Sequence, residues 1–410
     1  MNPGSIEAKR QNILRLAQAV YDHSGISRKE LGQQLGLSPS TVTLATAPLL
    51  EQKLIVECGM EEAPAGRRAK LLRINENRGT ILFLHLEEDF SLEFRLCNLC
   101  GVRLAGQLLP PPAQRPTQEA FPAEQALAAL DFLEQAAQPL PRLAAAVITP
   151  GAMNPDGTAD IPLFGWEDLN LSCLSQTLKV PVYYDSILHM LGSYEVRQLP
   201  PTNRQIYLSL EPGVGMTCYE QGQAVNGRNL FYGEIGHISM HEDGPLCYCG
   251  NRGCLEYYCG VPGILSRLSQ IADGCPILSA LCGNGLSLEL LPKAARQGSI
   301  PARRLLEQVA TELGRALVTL MNLLDPDQIL IAGRLWQFPE IREPALSLVS
   351  LRALARRRQL PKIQAASLDP DKAEIGVCQF VFSRWLETQL YSQLRKLHKI
   401  PQLFSLIFLS

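Results

Sequence analysis

No apolar run in this 410-residue sequence approaches the roughly 20 residues of a membrane-spanning helix, and the closing LFSLIFLS is far too short. The opening MNPGSIEAKRQNILRL lacks the continuous apolar core of a signal peptide. A cytoplasmic protein is therefore expected, with twelve cysteines that stay thiols or bind metal rather than pair. Net basic charge is also missing. A formal charge of −2 excludes a globally basic nucleic-acid binder, but not a small basic module on an acidic body. With 46% hydrophobic and 19% charged residues the composition is globular, and the length calls for two or three domains.

Residues 1–78 differ from the rest. They hold eleven Lys and Arg against eight Asp and Glu, a net +3 that leaves −5 for the remainder. Ile13, Leu14, Ala17 and Val20 recur at helical spacing. Ser27-Arg28-Lys29-Glu30 reads as a capping box that starts a second helix, with Leu31 and Leu35 on its buried face. Gly36 ends that helix, and Ser38-Pro39 starts a third, with Val42, Leu49 and Leu50 facing inward. Two short helices around a Gly-containing turn are a helix-turn-helix pattern. LIVE (54–57) and KLLRI (70–74) read as strands joined by a loop carrying Arg67 and Arg68, which would form a wing.

This arrangement would put the helix from Ser38 in a major groove, with basic residues on phosphates. The alternative is a small helical domain that binds protein or nothing. Residues 38–50 contain no Arg, Lys, Asn or Gln, so the strongest bidentate base readers are absent. Base contacts would fall to Ser40, Thr41 and Thr43, and affinity to Arg28, Lys29, Arg67 and Arg68. Pro48 is expected to kink the third helix or end it early.

From Thr80 the texture becomes α/β. TILFLHL, SLEFRLCNL and VRLAGQLL read as strands, then a helix near 118–137, the strand LAAAVIT (143–149), a helix near 169–178, the strand VYYD (182–185) and a helix to about 197. The order then restarts with QIYLSL (205–210), MTCYE (216–220) and QAV, helices near 263–272, 287–297 and 301–324, and QILIA (328–332). Two such lobes predict a duplicated α/β body with ligands at the carboxyl ends of its strands. Pro150-Gly151, Asp185 and Gly213-Val214-Gly215 directly follow predicted strands. The expected division is 1–78, 79–197 completed by a C-terminal amphipathic helix from about 372 to 410, and 198–371.

Cys247, Cys249 and Cys254 crowd into eight residues, ten after His237. Cys-x-Cys is too short for an easy disulfide, and with a histidine nearby it suits a closed tetrahedral zinc site. Four protein ligands leave no open position, so the metal would be structural, one Zn2+ per chain. Gly250 and Gly253 would let the chain double back between ligands. Ordinary buried thiols are the alternative reading, and the one preferred for Cys218, Cys259 and Cys275.

GEIGH followed by CYCGNRGCLE resembles the zinc signature of the ROK family (repressors, open reading frames and kinases), and the likeness runs over nearly the whole chain. It implies a duplicated actin-like, ribonuclease H-like sugar-kinase fold, often dimeric or tetrameric. Family members with an N-terminal winged helix are sugar-responsive transcription regulators, commonly repressors of carbohydrate genes. Asp185 matches the position where ROK kinases place the base that takes the sugar hydroxyl's proton, so it too is expected to contact the effector, although capping of the next helix is a nearly equal alternative. Glu234, His237 and Glu256 match sugar-contacting positions, the histidine also serving zinc, while Glu234 could instead orient the metal loop. Tyr184 and Pro162 replace asparagines of the family pattern, and Gly165-Trp166 remain from its sugar loop. Trp166 could stack on a sugar face or be ordinary packing.

The nucleotide side departs from the pattern. LHLEEDFSLE (84–93) stands where kinases carry a glycine-rich phosphate turn, and Glu87, Glu88 and Asp89 would repel a triphosphate. The second phosphate turn reads Glu211-Pro212-Gly213-Val214-Gly215, and the late glycine run is reduced to Ala332-Gly333-Arg334. No catalytic residues are therefore expected, with Asp185 a vestigial base position. The expectation is a sugar-responsive regulator that binds operator DNA and a sugar or sugar phosphate, as a homodimer or homotetramer. Its rivals are an active sugar kinase and a regulator controlled by a protein partner.

Overall fold

The computed structural model describes residues 3–390 apart from 24, 61–68, 137–139, 201, 229–230, 283–284 and 369–371. The wing arginines Arg67 and Arg68 lie outside the described residues, as does the chain from 391 onward.

Three helices and a small sheet open the fold: α1 (Pro3–Asp22), β1 (Ile26–Ser27), α2 (Arg28–Leu35), α3 (Pro39–Glu51), β2 (Ile55–Met60) and β3 (Lys70–Ile74). The capping box at Ser27 is present in both directions, and Gly36 closes α2 at φ 66°. Ser38 caps α3 through the Thr41 amide. Pro48 does not end α3 at once. The helix runs three residues further, its last turn closed by the Gln52 amide on the Pro48 carbonyl at 3.1 Å. The ring is tolerated because it is buried and only one amide, a turn from the helix end, is forfeited.

The first lobe comprises β4 (Thr80–Leu86), β5 (Leu92–Asn98), β6 (Arg103–Leu109), α4 (Phe121–Ala136), β7 (Arg142–Ile148), β8 (Ala152–Met153), β9 (Thr158–Ile161), β10 (Trp166–Asn170), α5 (Cys173–Leu178), β11 (Val182–Tyr184) and α6 (Ile187–Arg197). The second has β12 (Arg204–Ser209), β13 (Gly215–Glu220), β14 (Gln223–Ala224), α7 (Leu255–Cys259), α8 (Val261–Ala272), α9 (Pro276–Leu281), α10 (Leu290–Arg296), α11 (Ile300–Leu324), β15 (Gln328–Ala332), α12 (Pro339–Arg352) and β16 (Lys362–Ala365). The predicted duplication is explicit in the sheets. One runs β11-β7-β4-β5-β6 and the other β16-β15-β12-β13-β14, each with three parallel strands and two antiparallel ones in matching places.

The expected helix near 169–178 is a correction. Residues 166–170 are strand β10 in a small sheet with β9 and β8, and α5 begins only at Cys173. A bulge between Trp166 and Leu169, with Asp168 at φ 53°, lets both side chains reach the core although they stand three residues apart. Trp166 packs there among Phe90, Phe121 and Phe164, so its ring is core. Cys218, Cys259 and Cys275 are likewise buried packing residues.

The C-terminal helix α13 (Ala373–Trp385) is not amphipathic as expected, but buried nearly all round. One apolar cluster explains this, joining Leu16, Val20, Leu31 and Leu49 of the head, Ile81, Phe83 and Ala146 of the first sheet, and Val377, Val381, Phe382 and Trp385 of α13. Polar contacts reinforce the joint: Tyr21 stacks on Phe382 at 4.4 Å and donates to the Leu99 carbonyl at 2.5 Å. Gln379 bonds Asp22 at 2.6 Å, and Ser383 bonds Gln18 at 2.7 Å. The head and first lobe therefore share one core.

Candidate functional site

The loop after β14 is built around four ligand-capable side chains. Ile235–His237 forms a 3-10 turn, and short bridges pair Ser239 with Cys254 and Leu246 with Arg252. Gly253 adopts φ 61°, and a Cβ there would lie 1.8 Å from the His241 carbonyl, so only glycine fits. The ligand atoms of His237, Cys247, Cys249 and Cys254 consequently all lie within 4.8 Å of one another. Cys249 Sγ is 3.7 Å from Cys254 Sγ, and Cys247 Sγ is 3.6 Å from His237 Nδ1. A tetrahedron with zinc–sulfur bonds of about 2.3 Å has edges of about 3.8 Å. The donor set and its spacing are compatible with zinc.

With Nδ1 turned to the thiols, His237 presents Nε2 to the cleft. Glu234 Oε2 lies 3.9 Å from it. Glu256 sits in the first turn of α7, directly after the last cysteine, and its Oε2 accepts from the Val214 amide at 3.2 Å. The turn and the loop approach so closely that a Cβ on Gly213 or Gly236 would collide. Loss of solvent raises the Glu234 and Glu88 carboxyls above their ordinary range, and the Glu256 charge adds to both. Three predicted effector residues are thus brought together.

Asp185 belongs to the first lobe, at the start of α6. Its carboxylate accepts from the Ser186 amide at 2.8 Å and bonds His189 Nδ1 at 2.7 Å. The helix cap itself is Ser186, through the His189 amide, so capping is not Asp185's role. Tyr184 is buried and spends its hydroxyl on the Leu171 carbonyl at 2.9 Å, offering nothing polar to a ligand.

On the side where the kinase pattern places nucleotide, an ion pair joins two turns. Glu211 accepts the Arg334 amide at 3.0 Å and its Nε at 2.8 Å, so one carboxylate bridges the two turns where a kinase would hold nucleotide. In the first turn, burial raises Glu87, and burial followed by the Arg95 guanidinium lowers His85 to about 4. His85, Glu87 and Glu93 also cluster within 4.8 Å. Glu93 is already committed to Arg95 at 2.6 Å, and a cation there would face that guanidinium.

In the head, α3 exposes Ser40 and Thr43, with Thr41 half-exposed. The Thr43 hydroxyl donates back to the Pro39 carbonyl at 2.9 Å, while Ser40 and Thr41 both bond Ser38 at 2.9 Å. Lys29 is exposed, but Arg28 pairs with Glu57 at 3.1 Å.

Against known families, residues 103–383 match the ROK family. The chain belongs to the ROK family. Among curated relatives it is 25% identical over 400 residues to the "Xylose repressor" of Caldicellulosiruptor bescii, covering 94% of this chain and 98% of that one. It is 28% identical over 372 residues to the "DNA-binding transcriptional dual regulator NagC" of Escherichia coli strain K12, covering 88% and 90%. Among solved structures, a ROK transcriptional regulator described as a homologue of the E. coli MLC protein superposes with a TM-score of 0.76 at 22% identity, covering 95% of this chain and 99% of that one. A ROK glucokinase from Streptomyces griseus, solved with glucose and AMPPNP, gives 0.60 at 20% identity over 73% and 98%. These superpositions establish the ROK actin-like sugar-kinase fold.

Three residues on these surfaces escape a reading of the ROK pattern. Leu44 is 66% exposed on α3. Its place one helical turn from Ser40 was the available signal. His189 is found only through Asp185, four residues earlier and just ahead of the helix. Tyr248 sits between two cysteines, and nothing in the sequence says where its ring points.

Proposed function

We propose that this ROK protein is a sugar-responsive transcription regulator, in the manner of a repressor of carbohydrate-utilisation genes, whose kinase-like body no longer transfers phosphate. The observation that carries this is the single core shared by the winged head and the cleft-bearing first lobe. A head packed that way is positioned to follow the body.

The working division is a head of 1–78, a first lobe of 79–197 completed from about 372, and a second lobe of 198–371. Operator binding is assigned to the exposed face of α3, with Ser40, Thr41 and Thr43 near base edges and Lys29, Arg67 and Arg68 near phosphates. Leu44 suits a thymine methyl. Arg28, already paired, has a weaker claim. A homodimer or homotetramer would present two heads to two half-sites.

The effector is a sugar or sugar phosphate bonded by Glu234, His237 and Glu256, with Asp185 facing it from the other lobe. His237, Cys247, Cys249 and Cys254 would hold one zinc ion, whose contribution is structural. It fixes the loop so that His237 and Glu256 keep their positions. Helix α6 is the transmitting element. Gly192 packs against Thr217 and Tyr219 of the second sheet, and Tyr219 donates to the His189 carbonyl at 3.0 Å. On its other side, His189 meets Phe380 of α13 at 5.7 Å, and α13 meets α1. Binding biases the head only if sugar prefers one cleft arrangement over the other.

Loss of phosphoryl transfer is supported by the Glu211–Arg334 bridge and the acids of the first turn. A thermal-shift screen with pentoses, hexoses and their phosphates, beside a coupled ATP assay, tests the reading. Stabilisation by one sugar without turnover is expected, and hexose-dependent turnover abolished by Asp185→Asn would replace it with a kinase.

A further inference from the structure

We propose that Tyr248 is a built-in occupant of the polyol site, whose phenol must leave before a sugar can bond His237 and Glu256. The inference rests on the reading of that cleft as a sugar site.

Tyr248 hydroxyl lies 3.1 Å from His237 Nε2 and donates to Glu256 Oε1 at 3.3 Å. With Nδ1 given to a metal shared with Cys247 Sγ, the imidazole proton would belong on Nε2 and be donated to the phenol oxygen. The phenol therefore accepts from an imidazole and donates to a carboxylate, the same pair of bonds a sugar hydroxyl would make there. Its ring stands edge-on to His237, with centroids 5.1 Å apart and planes at 87°.

The rest of the side chain is not core. Tyr248 is 51% exposed although its hydroxyl is pinned between two cleft residues. Withdrawing it breaks two hydrogen bonds and opens no cavity, so the ring can swing into water. The backbone on either side carries candidate metal ligands, so the displacement is a rotation of the side chain and not of the loop. A ligand meets this competitor at every encounter, and its apparent affinity falls by the fraction of molecules in which the phenol is out. Sugars with neighbouring hydroxyls that reach both His237 and Glu256 can outbid a single phenol. Ligands with one well-placed hydroxyl gain nothing over it.

Calorimetric titration of the full-length protein and of Tyr248→Phe with a panel of pentoses and hexoses is the test. Removing both of the phenol's hydrogen bonds, one of them to a carboxylate, should tighten binding of the same sugar by about tenfold or more. Equal or weaker binding by the variant overturns the proposal, because Tyr248 would then be a bystander or a sugar contact. If neither protein binds any sugar, the effector reading fails, and the plug is judged separately by 19F NMR of protein labelled with 3-fluorotyrosine. The resonance missing from Tyr248→Phe identifies the ring. It should move in Glu256→Ala if the hydroxyl is held as described, and an unmoved resonance overturns the plug itself.

Discussion

Truncating Tyr21 should detach the DNA-binding head from the body. Its ring stacks on Phe382, a residue only 1% exposed, and its hydroxyl satisfies the Leu99 carbonyl. Replacing a core aromatic by alanine costs about 3–5 kcal/mol, and Tyr21 is only partly buried, so the lower end applies. The orphaned carbonyl adds about 1 kcal/mol, not fully additive with the first loss. A net of about 3 kcal/mol corresponds to roughly a hundredfold.

The assay is amide hydrogen exchange read by mass spectrometry. Opening free energy sets the protection of each segment, so α1 amides should exchange about a hundredfold faster in Tyr21→Ala. Those of α4, which packs on the opposite face of the first sheet, should not change. Tyr21→Phe, losing only the hydroxyl, should show about a fivefold effect. Protection of α1 within threefold of wild type would refute the shared core as the joint.

Metal analysis should return one zinc per chain, and Cys249→Ser should lower that occupancy and weaken sugar binding; unchanged sugar binding by metal-free protein would contradict the clamp role. Stability should fall as pH drops from about 6.5 to about 4, because in that window the unfolded chain protonates His85 while the folded one does not. The loss is at most about 3 kcal/mol, read as a shift in urea midpoint that His85→Gln should flatten. Lys29→Ala should weaken binding to any duplex and reduce the salt-dependence slope by about one, where an unchanged slope would remove Lys29 from the phosphate contacts.

Local signals carried far in this chain. Ser27 with Glu30, Ser38 with Pro39, and the short apolar run of 80–86 each specify their element from neighbouring residues alone. The clustering of His237, Cys247, Cys249 and Cys254 was legible for the same reason, since ligand type and spacing are themselves the signal. What could not be read depends on distant partners. Strand β10 exists because Trp166 finds Phe90, Phe121 and Phe164. Helix α13 is buried nearly all round because the head covers the side that a lone lobe would leave wet. Glu211 looked like a mere departure from a phosphate turn until Arg334, more than a hundred residues later, came to meet it. That α3 would run on past Pro48 was not legible either, because the cost of that proline depends on how near the helix end it falls and how well the core accepts its ring.

The central claim is that a cleft on the body controls a DNA-binding head. Duplexes recovered from a random pool by the purified protein supply the probe, and their fluorescence anisotropy during titration with the stabilising sugar supplies the measurement. The account predicts an enriched sequence with two related half-sites whose complex loosens, or tightens, at sugar concentrations that saturate the cleft. Retained sugar binding with no enriched sequence, or a complex indifferent to saturating sugar, would contradict it.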